Sequence, residues 1–456
     1  MKRKWLNVNV TILGLCKSGI SSAKYLNGQG ANCTISEKRQ PTEEDISTIE
    51  ELEKLGIKTE TGGNREETLL NADVIITSPG IPPHAEVYQV LKNHKIETFG
   101  EIDLAYKETD VPIIAVTGTN GKTTVTKLVT EILCNGGLSA KACGNIGTPI
   151  TSLLKEKLDY LVAEISSFQL ATNPSFKPQI AAFLNYAPDH LDWHGNEQEY
   201  FNAKANLFLK KEPTWAIFNA LNFKIAYLKL DISSEVYFFG REAEDKCVFV
   251  KENKIFVKDK SKKLTEIISL NEIPLKGKHN VENIMAATAI AFIAGIEPET
   301  IRETVKNFSP PEHRIEFVAS IDGIEYYNDS KATNPESAVC ALKSFENTKM
   351  ALIAGGRDKG TDLTEFCNEV KKHANAVILI GEATERFRKA LQNAGFNDIY
   401  EQFSLEEAID KAETLNPQVI LLSPACASYD MFKNFEERGQ VFKNHVHSKK
   451  TQYQKN

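Results

Sequence analysis

Short apolar runs alternate along most of this chain with segments in which apolar residues recur every three or four positions. The short runs are typical of buried strands, and the longer spacing is typical of amphipathic helices. Strands that alternate with helices favour a parallel sheet covered by helices. The pattern therefore predicts an α/β fold.

One strand–turn–helix unit carries the clearest chemistry. An apolar strand ending at Val116 is followed by Gly118-Thr119-Asn120-Gly121-Lys122-Thr123-Thr124 and then by helical spacing. Such a turn exposes the free N–H groups of a helix N-terminus, where glycines let phosphate oxygens approach closely. Lys122 can reach terminal phosphates and Thr123 can hold Mg²⁺, as in a P-loop. The match is incomplete because Val116 replaces the usual first glycine; the alternative is an ordinary corner with Lys122 in solvent.

The chain has 456 residues, and a length of ~150 residues per domain suggests about three domains. Helix and strand alternate to about Tyr106 before the P-loop strand begins, and the prolines of Ser309-Pro310-Pro311 stop a helix. We expect a Rossmann-like N-terminal domain over residues 1–107, a central P-loop domain with a mostly parallel sheet over 108–310, and a Rossmann-like C-terminal domain over 311–456.

Further chemistry follows other strands of the central domain. Glu164 ends a buried strand, where a P-loop enzyme places a carboxylate for its metal. Residues 189–194 contain two histidines and two aspartates, a cluster suited to a metal or a substrate, although each one singly would be a turn residue or a cap. Lys204 lies on a predicted helix over Tyr200–Leu209, and its alternative interpretation is a solvated surface lysine.

The N-terminal domain begins with a strand and Gly14-Leu15-Cys16-Lys17-Ser18-Gly19, which resembles the dinucleotide fingerprint with Cys16 in place of a glycine. The next strand ends at Glu37, an acid that usually meets a ribose or a base. The broken glycine pattern disfavours NAD and leaves a UDP group open. A glycine–proline loop, Ser78–Pro83 with Gly80, is predicted at the carboxyl edge of the sheet, with a plain turn as its alternative.

Gly144–Pro149 forms a second glycine loop in the central domain. The pattern towards the end of that domain is less informative. Residues 214–270 contain short strands and a charged stretch, Lys251–Lys263, that indicates an exposed hairpin. A strongly apolar helix is predicted over Ile284–Ala294. Asn280 and Asn283 precede it on one face, where they cap the helix or contact a purine or ribose.

The C-terminal domain is predicted to have strands near residues 315–328, 349–354, 376–380 and 418–422. Polar loops follow three of them, at 328–335, 355–360 and 423–430. Because the carboxyl ends of parallel strands meet at one edge, we expect these loops to gather there and contact substrate.

Charge and cysteine content exclude several classes of protein. The formal net charge is −7, which disfavours nucleic acid as a partner. The eight cysteines form no Cys-x-x-Cys pair, which argues against zinc and fits a reducing cytoplasm. The basic start, Met1–Trp5, precedes an alternating strand pattern rather than a secretory apolar segment, and no apolar run is long enough to span a membrane. We expect a cytoplasmic protein.

Taken together, the motifs resemble the Mur ligase family. They are GTNGKTT at 118–124, the glutamate of AEISSFQL, DHLDWHG at 189–195, Lys204, HNVEN at 279–283, HR at 313–314 and DSKATN at 329–334. GGRDKG at 355–360 and SPACASYDMF at 423–432 resemble the family member that joins D-glutamate to UDP-N-acetylmuramoyl-L-alanine. The resemblance implies an ATP-dependent amide ligase of peptidoglycan synthesis that acts through an acyl phosphate, and hence a role in cell wall biogenesis, cell shape and cell division.

The resemblance also implies roles for single residues in catalysis and ATP binding. The implied catalytic residues are Lys122, His190, Lys204 and His313. The implied ATP-binding residues are Gly118, Thr119, Asn120, Gly121, Lys122, Thr123, Thr124, Asn280, Arg314 and Asp329. The implied ligands of two Mg²⁺ ions are Thr123, Glu164, His190 and a carbamylated Lys204.

The other implied roles concern the two substrates. The residues implied to contact the UDP-sugar are Leu15, Cys16, Glu37, Gly80 and Asn145. Those implied to contact D-glutamate are Lys359, Ser428 and Tyr429. The expected partners are these small molecules and ATP, bound by a monomer without nucleic acid or a membrane span.

Three alternatives remain open at this point. A related amide ligase would add a different amino acid, and a nucleotide-regulated binding protein would hydrolyse ATP as a switch. An NAD-dependent oxidoreductase would use the N-terminal domain, although Cys16 argues against it.

Overall fold

The computed structural model describes residues 3–82, 84–172, 175–210, 212–243, 246–275, 277–309, 312–345, 348–358 and 360–453, without the side chains at 44, 192 and 450–453. The described part contains three sheets. The chain divides into two compact units, Met1–Glu272 with Asn283–Lys306, and Ile273–Glu282 with Asn307–Asn456. Pro83, Pro310 and Pro311 lie outside the described residues, and the three domain boundaries stay a prediction.

The first sheet has five parallel strands. They are β1 (Asn9–Leu13), β2 (Asn32–Glu37), β3 (Lys58–Thr61), β4 (Val74–Thr77) and β5 (Glu97–Gly100). Their order is β3-β2-β1-β4-β5. The accompanying helices are α1 (Lys17–Asn27), α2 (Glu43–Lys54), α3 (Glu66–Leu70), α4 (Glu86–Asn93) and α5 (Glu101–Glu108). The strand order reverses beside β1, the point at which open α/β sheets bind ligands.

The second sheet, in the same unit, has nine strands. They are β6 (Ile113–Thr117), β7 (Ala140–Gly144), β8 (Tyr160–Glu164), β9 (Ile180–Phe183), β10 (Trp215–Asn219), β11 (Glu235–Phe239), β12 (Cys247–Lys251), β13 (Lys254–Lys258) and β14 (Leu264–Ser269). Their order is β14-β13-β12-β11-β10-β9-β6-β8-β7, and only the β12-β13-β14 pairings are antiparallel. The helices that follow strands of this sheet are α6 (Lys122–Asn135), α7 (Ser167–Thr172), α8 (Leu191–His194), α9 (Glu197–Leu209), α10 (Phe223–Ala226), α11 (Lys278–Ile293) and α12 (Pro298–Asn307).

The third sheet belongs to the second unit. Its strands are β15 (Glu316–Ile321), β16 (Ile324–Asn328), β17 (Met350–Gly355), β18 (Ala376–Ile380), β19 (Ile399–Glu401) and β20 (Val419–Leu422). Their order is β15-β16-β20-β17-β18-β19, parallel except for the β15–β16 hairpin. The helices are α13 (Pro335–Leu342), α14 (Thr364–His373), α15 (Thr384–Asn393), α16 (Leu405–Glu413) and α17 (Phe435–Tyr453). The predicted α/β fold with a mostly parallel central sheet is confirmed.

Three local predictions need correction. Lys251–Lys263 contains a hairpin turn, but it is not exposed throughout, because Ile255 and Val257 of β13, an inner strand of the sheet, are completely buried. The apolar helix predicted over Ile284–Ala294 already begins at Lys278, so Asn280 and Asn283 both lie within α11 and neither caps it. The strand predicted near 315–328 is two strands joined by a turn.

The apolar runs fill the cores in the way that their pattern predicts. Each of β4, β6, β9 and β20 is buried along its whole length, which is the pattern of strands covered on both faces. Within the described residues, no helix is both long and apolar enough to cross a bilayer.

Candidate active site

A glycine loop joins the end of β6 to the start of α6. Gly118 and Gly121 have φ angles of 154° and 82°, so both turns need a residue without Cβ. Asn185 holds the loop from the adjacent strand end: its carbonyl accepts from the Thr119 N–H at 3.1 Å, and its Oδ1 accepts from the Asn120 N–H at 2.8 Å. These two hydrogen bonds hold the loop backbone, which leads directly into a helix N-terminus, a position that favours anions.

Lys122 is the first residue of α6, and its side chain folds back over the loop. Its Nζ donates to the carbonyl oxygens of Gly118 at 2.9 Å and Thr119 at 2.8 Å. The ammonium therefore lies against the glycine loop, which disfavours the alternative of a lysine held in solvent. Val116, which replaces the usual first glycine, is buried in β6 and pairs in register with Glu164. It is a strand residue here, so no glycine is needed at that position.

Glu164 ends β8, the neighbour of β6, and is only 4% exposed. Its carboxylate accepts from Thr123 Oγ1 at 2.7 Å and from Asn145 Nδ2 at 2.8 Å. Gly144 has a φ of 82°, and a Cβ there would lie 2.4 Å from the Glu164 carbonyl oxygen. The structure thus joins the P-loop threonine, the acid and the second glycine loop. A carboxylate and a hydroxyl are oxygen ligands of the kind that Mg²⁺ prefers.

Lys204 is buried, with 1% exposure, which excludes the alternative of a solvated surface lysine. Its Nζ donates to the carbonyl oxygen of Gly118 at 2.9 Å and lies 4.8 Å from the ring centre of Tyr200. Burial, reinforced by the charge of Lys122, holds the pKa of Lys204 well below its ordinary value, against the opposing effect of Asp189 and Glu164. An amine in this setting is readily deprotonated and can act as a nucleophile.

His190 lies in the cluster at 189–194 and has a φ of 53°. Its Nε2 lies 3.5 Å from Asp189 Oδ2, and its ring contacts Phe168 with 4.7 Å between centroids. His194 instead stacks on Phe168 at 5.6 Å. In the part of the chain that the structure describes, which leaves out the Asp192 side chain, no three His, Cys, Asp or Glu residues are grouped as metal ligands. The metal role of His190 stays a prediction.

Two residues that shape this site were not singled out from the sequence. Tyr200 is buried, and its hydroxyl lies 3.1 Å from Thr119 Oγ1, so it supports both the loop and Lys204. Asn185 fixes the loop backbone. Asn185 follows an apolar strand, which is a signal for the carboxyl edge of the sheet, whereas nothing local marks Tyr200.

The two asparagines of the HNVEN motif have different surroundings. Asn283 is 5% exposed, and a Cβ added to Gly121 would lie 2.2 Å from its Oδ1. The side chain therefore lies directly against the P-loop glycine. Asn280 is partly buried one turn earlier on α11.

Four of the five predicted UDP-sugar residues lie at the carboxyl edge of the first sheet, whereas Asn145 follows β7 of the second sheet. The Leu15 N–H donates to Glu37 Oε2 at 2.8 Å, so the Glu37 carboxylate holds the first glycine loop. Cys16 Sγ lies 3.2 Å from Ser78 Oγ, in the loop that contains Gly80. The structure thus joins the three loops that follow β1, β2 and β4.

In the second unit, His313, Arg314 and Asp329 belong to adjoining loops. His313 is 5% exposed with a φ of 64°, and its Nδ1 lies 2.8 Å from Asn328 Nδ2. Asp329 accepts from Ser423 Oγ at 2.7 Å. Burial raises the pKa of Asp329 to about 7, although the hydrogen bond from Ser423 and the charge of Arg314 act in the opposite direction.

The residues predicted to bind D-glutamate differ in their exposure to solvent. Ser428 is buried, whereas Tyr429 is 67% exposed. Lys359 lies outside the described residues. Arg438, which the sequence did not single out, is buried and donates to the carbonyl oxygens of Ser330 at 2.8 Å and Cys426 at 3.1 Å, so it joins two of the predicted substrate loops.

Family models match three consecutive parts of the chain. They are described as the Mur ligase MurD-like N-terminal domain over residues 8–100, the Mur ligase middle domain over 116–291 and the Mur ligase glutamate ligase domain over 313–426.

Curated relatives are similar along nearly their whole length. The UDP-N-acetylmuramoylalanine--D-glutamate ligase of Caldanaerobacter subterraneus subsp. tengcongensis is 39% identical over 96% of this chain and 97% of its own. The enzyme of the same name from Koribacter versatilis is 40% identical over 95% of this chain and 96% of its own.

Solved structures share the fold. The UDP-N-acetylmuramate-alanine ligase MurC of Thermotoga maritima superposes with a TM-score of 0.61 at 18% identity, covering 97% of this chain and 100% of that one. The pseudomurein peptide ligase type C of Methanothermus fervidus has a TM-score of 0.58 at 20% identity, covering 91% and 96%.

Proposed function

The chain belongs to the Mur ligase family, and we propose that it joins D-glutamate to UDP-N-acetylmuramoyl-L-alanine at the expense of ATP, in peptidoglycan precursor synthesis. The choice of amino acid is supported by the names of relatives that are 39% and 40% identical over nearly full length. The chemistry is supported by one constellation in the central sheet, where Lys122, Thr123, Glu164 and Lys204 converge on the glycine loop.

ATP is proposed to bind at the start of α6. The loop from Gly118 to Thr124 offers backbone N–H groups and the Lys122 ammonium to the phosphates. Phosphoryl transfer depends mainly on positioning and on neutralising charge, rather than on a chemical base. The substrate carboxylate attacks the γ-phosphorus, the bond to the β–γ bridging oxygen breaks, and an acyl phosphate and ADP result.

The donor set fits Mg²⁺. Glu164 and Thr123 are hydrogen-bonded oxygen donors beside the phosphate loop, and hard divalent cations prefer such ligands. We propose that these two residues hold one ion, and that His190 and a carbamylated Lys204 hold a second. When bound, the ions supply positive charge to the phosphate oxygens.

Carbamylation of Lys204 is consistent with its surroundings. Its burial and the neighbouring Lys122 disfavour the ammonium form, and the neutral amine is the form that adds to carbon dioxide. The amine nitrogen forms a bond to the carbon and loses a proton, which leaves an anionic carbamate. The carbamate supplies two oxygen ligands for a metal ion, whereas a protonated Lys204 would repel one.

The second unit is proposed to complete the reaction. Asn280, Arg314 and Asp329 contact the nucleotide, and His313 lies close to the reacting carbon. The amine of D-glutamate attacks the acyl phosphate, and the tetrahedral intermediate collapses to an amide and inorganic phosphate. The residues proposed to bind D-glutamate are Lys359, Ser428 and Tyr429.

The remaining substrate is proposed to bind along the N-terminal sheet. Leu15, Cys16, Glu37 and Gly80 lie in the joined loops of that sheet, and Asn145 lies in the second glycine loop, after β7. We propose three domains over 1–107, 108–310 and 311–456, in a monomeric enzyme of the cytoplasm.

A substrate panel tests this proposal. Purified protein with Mg²⁺, ATP and UDP-N-acetylmuramoyl-L-alanine is given D-glutamate, L-glutamate or lysine, and phosphate release and the amide product are measured. We expect turnover and product only with D-glutamate. Equal turnover with another amino acid would indicate a different ligase of the family, and ATP hydrolysis without an amide product would indicate a nucleotide switch.

A further inference from the structure

Three loops at the carboxyl edge of the third sheet are tied to one another. They follow β17, β18 and β20, which lie side by side in the sheet in the order β20-β17-β18. The Arg357 N–H donates to the Ala427 carbonyl at 2.9 Å. The Glu382 N–H donates to Asp430 Oδ2 at 3.0 Å. The loops therefore form one connected surface within this unit.

A single guanidinium holds the loop that follows β17. Arg386, in the first turn of α15, donates from Nε to Asp358 Oδ2 at 2.5 Å and from Nη2 to Asp358 Oδ1 at 2.8 Å. Its Nη1 donates to the Thr361 carbonyl at 3.0 Å. The same Asp358 Oδ1 accepts from the Gly360 N–H at 2.9 Å. Arg386 thus holds the chain at 358 and at 361, on both sides of position 359.

We propose that Arg386 is a positioning residue for the incoming amino acid, because it holds Asp358 and Thr361 of the loop that follows β17 before that substrate binds. The inference rests on the proposed function, in which this loop contributes to binding of D-glutamate. A planar guanidinium matches a carboxylate through two parallel hydrogen bonds, and the geometry leaves a third N–H for the Thr361 carbonyl. A lysine could make only a point contact.

The pair acts on the loop rather than on the stability of the fold. The side chains of Arg386 and Asp358 are 38% and 22% exposed, and ion pairs so close to solvent contribute little to the free energy of unfolding. A loop that is ordered in advance loses less conformational entropy when a ligand binds. Removing the guanidinium should therefore weaken the binding of the amino acid selectively.

The chain offers a matched control on the same helix. Arg388 is also 38% exposed and pairs through Nε with Glu401 Oε1 at 2.9 Å, at the end of β19. We expect Arg386→Ala to raise the KM for D-glutamate about tenfold, the effect of losing ~1.4 kcal/mol of binding free energy. The KM values for ATP and the nucleotide substrate should not change, and kcat at saturating D-glutamate should be retained. Arg388→Ala should match wild type throughout.

Two further measurements separate positioning from a general structural effect. Arg386→Lys should give a KM for D-glutamate between those of wild type and the alanine variant. Hydrogen exchange of the Gly360 amide should be faster in Arg386→Ala than in Arg388→Ala. Equal KM values in the two alanine variants, or a rise in all three KM values together, would overturn the proposal. If wild type forms no amide with D-glutamate, the proposed function fails first, and this inference fails with it.

Discussion

Substituting alanine for Gly121 tests whether the P-loop depends on a specific packing contact or only on a permissive backbone. Gly121 has a φ of 82°, and Gly137, just after the same helix, has a φ of 87°. A Cβ at Gly137 would meet no atom within 4 Å, whereas a Cβ at Gly121 would lie 2.2 Å from Asn283 Oδ1. Gly137→Ala is therefore a control for the backbone cost alone.

The expected magnitudes follow from these two contributions. A left-handed conformation costs a residue with Cβ roughly 1–2 kcal/mol, which applies to both variants. At Gly121 the Asn283 amide must also move from a buried position, which costs about 1–3 kcal/mol in lost polar contacts. We expect Gly137→Ala to lose roughly 1–2 kcal/mol of unfolding free energy and Gly121→Ala roughly 2–5 kcal/mol.

Urea unfolding followed by tryptophan fluorescence measures the difference between the two variants. Adding Asn283→Ala to Gly121→Ala removes the overlap, so the double variant should lose less than the sum of the two single changes, by about 0.5–3 kcal/mol. ATP-dependent phosphate release should survive Gly137→Ala and fall strongly in Gly121→Ala, since only the latter distorts the loop. Equal losses of unfolding free energy at the two glycines would refute the reasoning.

Three other predictions concern charged groups of the site. Lys122→Ala should lower kcat by ~10² or more, measured as ADP release, because it removes charge stabilisation of the transferring phosphoryl group; activity near wild type would contradict its role. Lys204→Ala should form no amide by mass spectrometry and recover partly with added formate or acetate, whereas full activity without them would show that no oxygen ligand was lost. Burial raises the pKa of Asp329 from 3.8 to about 7, so the folded state binds the proton of this carboxyl more tightly than the unfolded state does. The protonated carboxyl therefore contributes stability that is fully present below pH 4 and should be lost as the pH rises through about 7. Asp329→Asn should flatten that part of the pH profile of urea unfolding, and an unchanged profile would assign the titration to another group.

The constellation around the glycine loop was predictable from the sequence only in part. The run from Gly118 to Thr124 could be identified because a strand, a turn and a helix N-terminus are local, and residues adjacent in the chain build them. Glu164 could be identified because it ends an apolar run. Thr123 and Glu164 are then brought together by the adjacency of β6 and β8, which the pattern of the chain does not specify.

Whether Lys204 is exposed or buried could not be predicted from the sequence of the helix that carries it. Its hydrogen bond to Gly118 spans 86 positions, and its pKa depends on burial among groups from several elements. The contact of Asn283 with Gly121 and the ion pair of Arg386 with Asp358 likewise join residues that are far apart in the sequence. The alternative in which Asn280 or Asn283 caps the helix was wrong, because α11 begins earlier than its apolar residues indicate.

The sequence by itself determined the alternation of strands and helices, the phosphate-binding turn and the order of the motifs, since each depends on neighbours in the chain. Tertiary structure alone decided which side chains share a buried site, which hydrogen bonds hold the loops and how burial shifts each pKa. The physical reason is that desolvation and side-chain contacts depend on the order of strands in the sheet, which brings distant residues together.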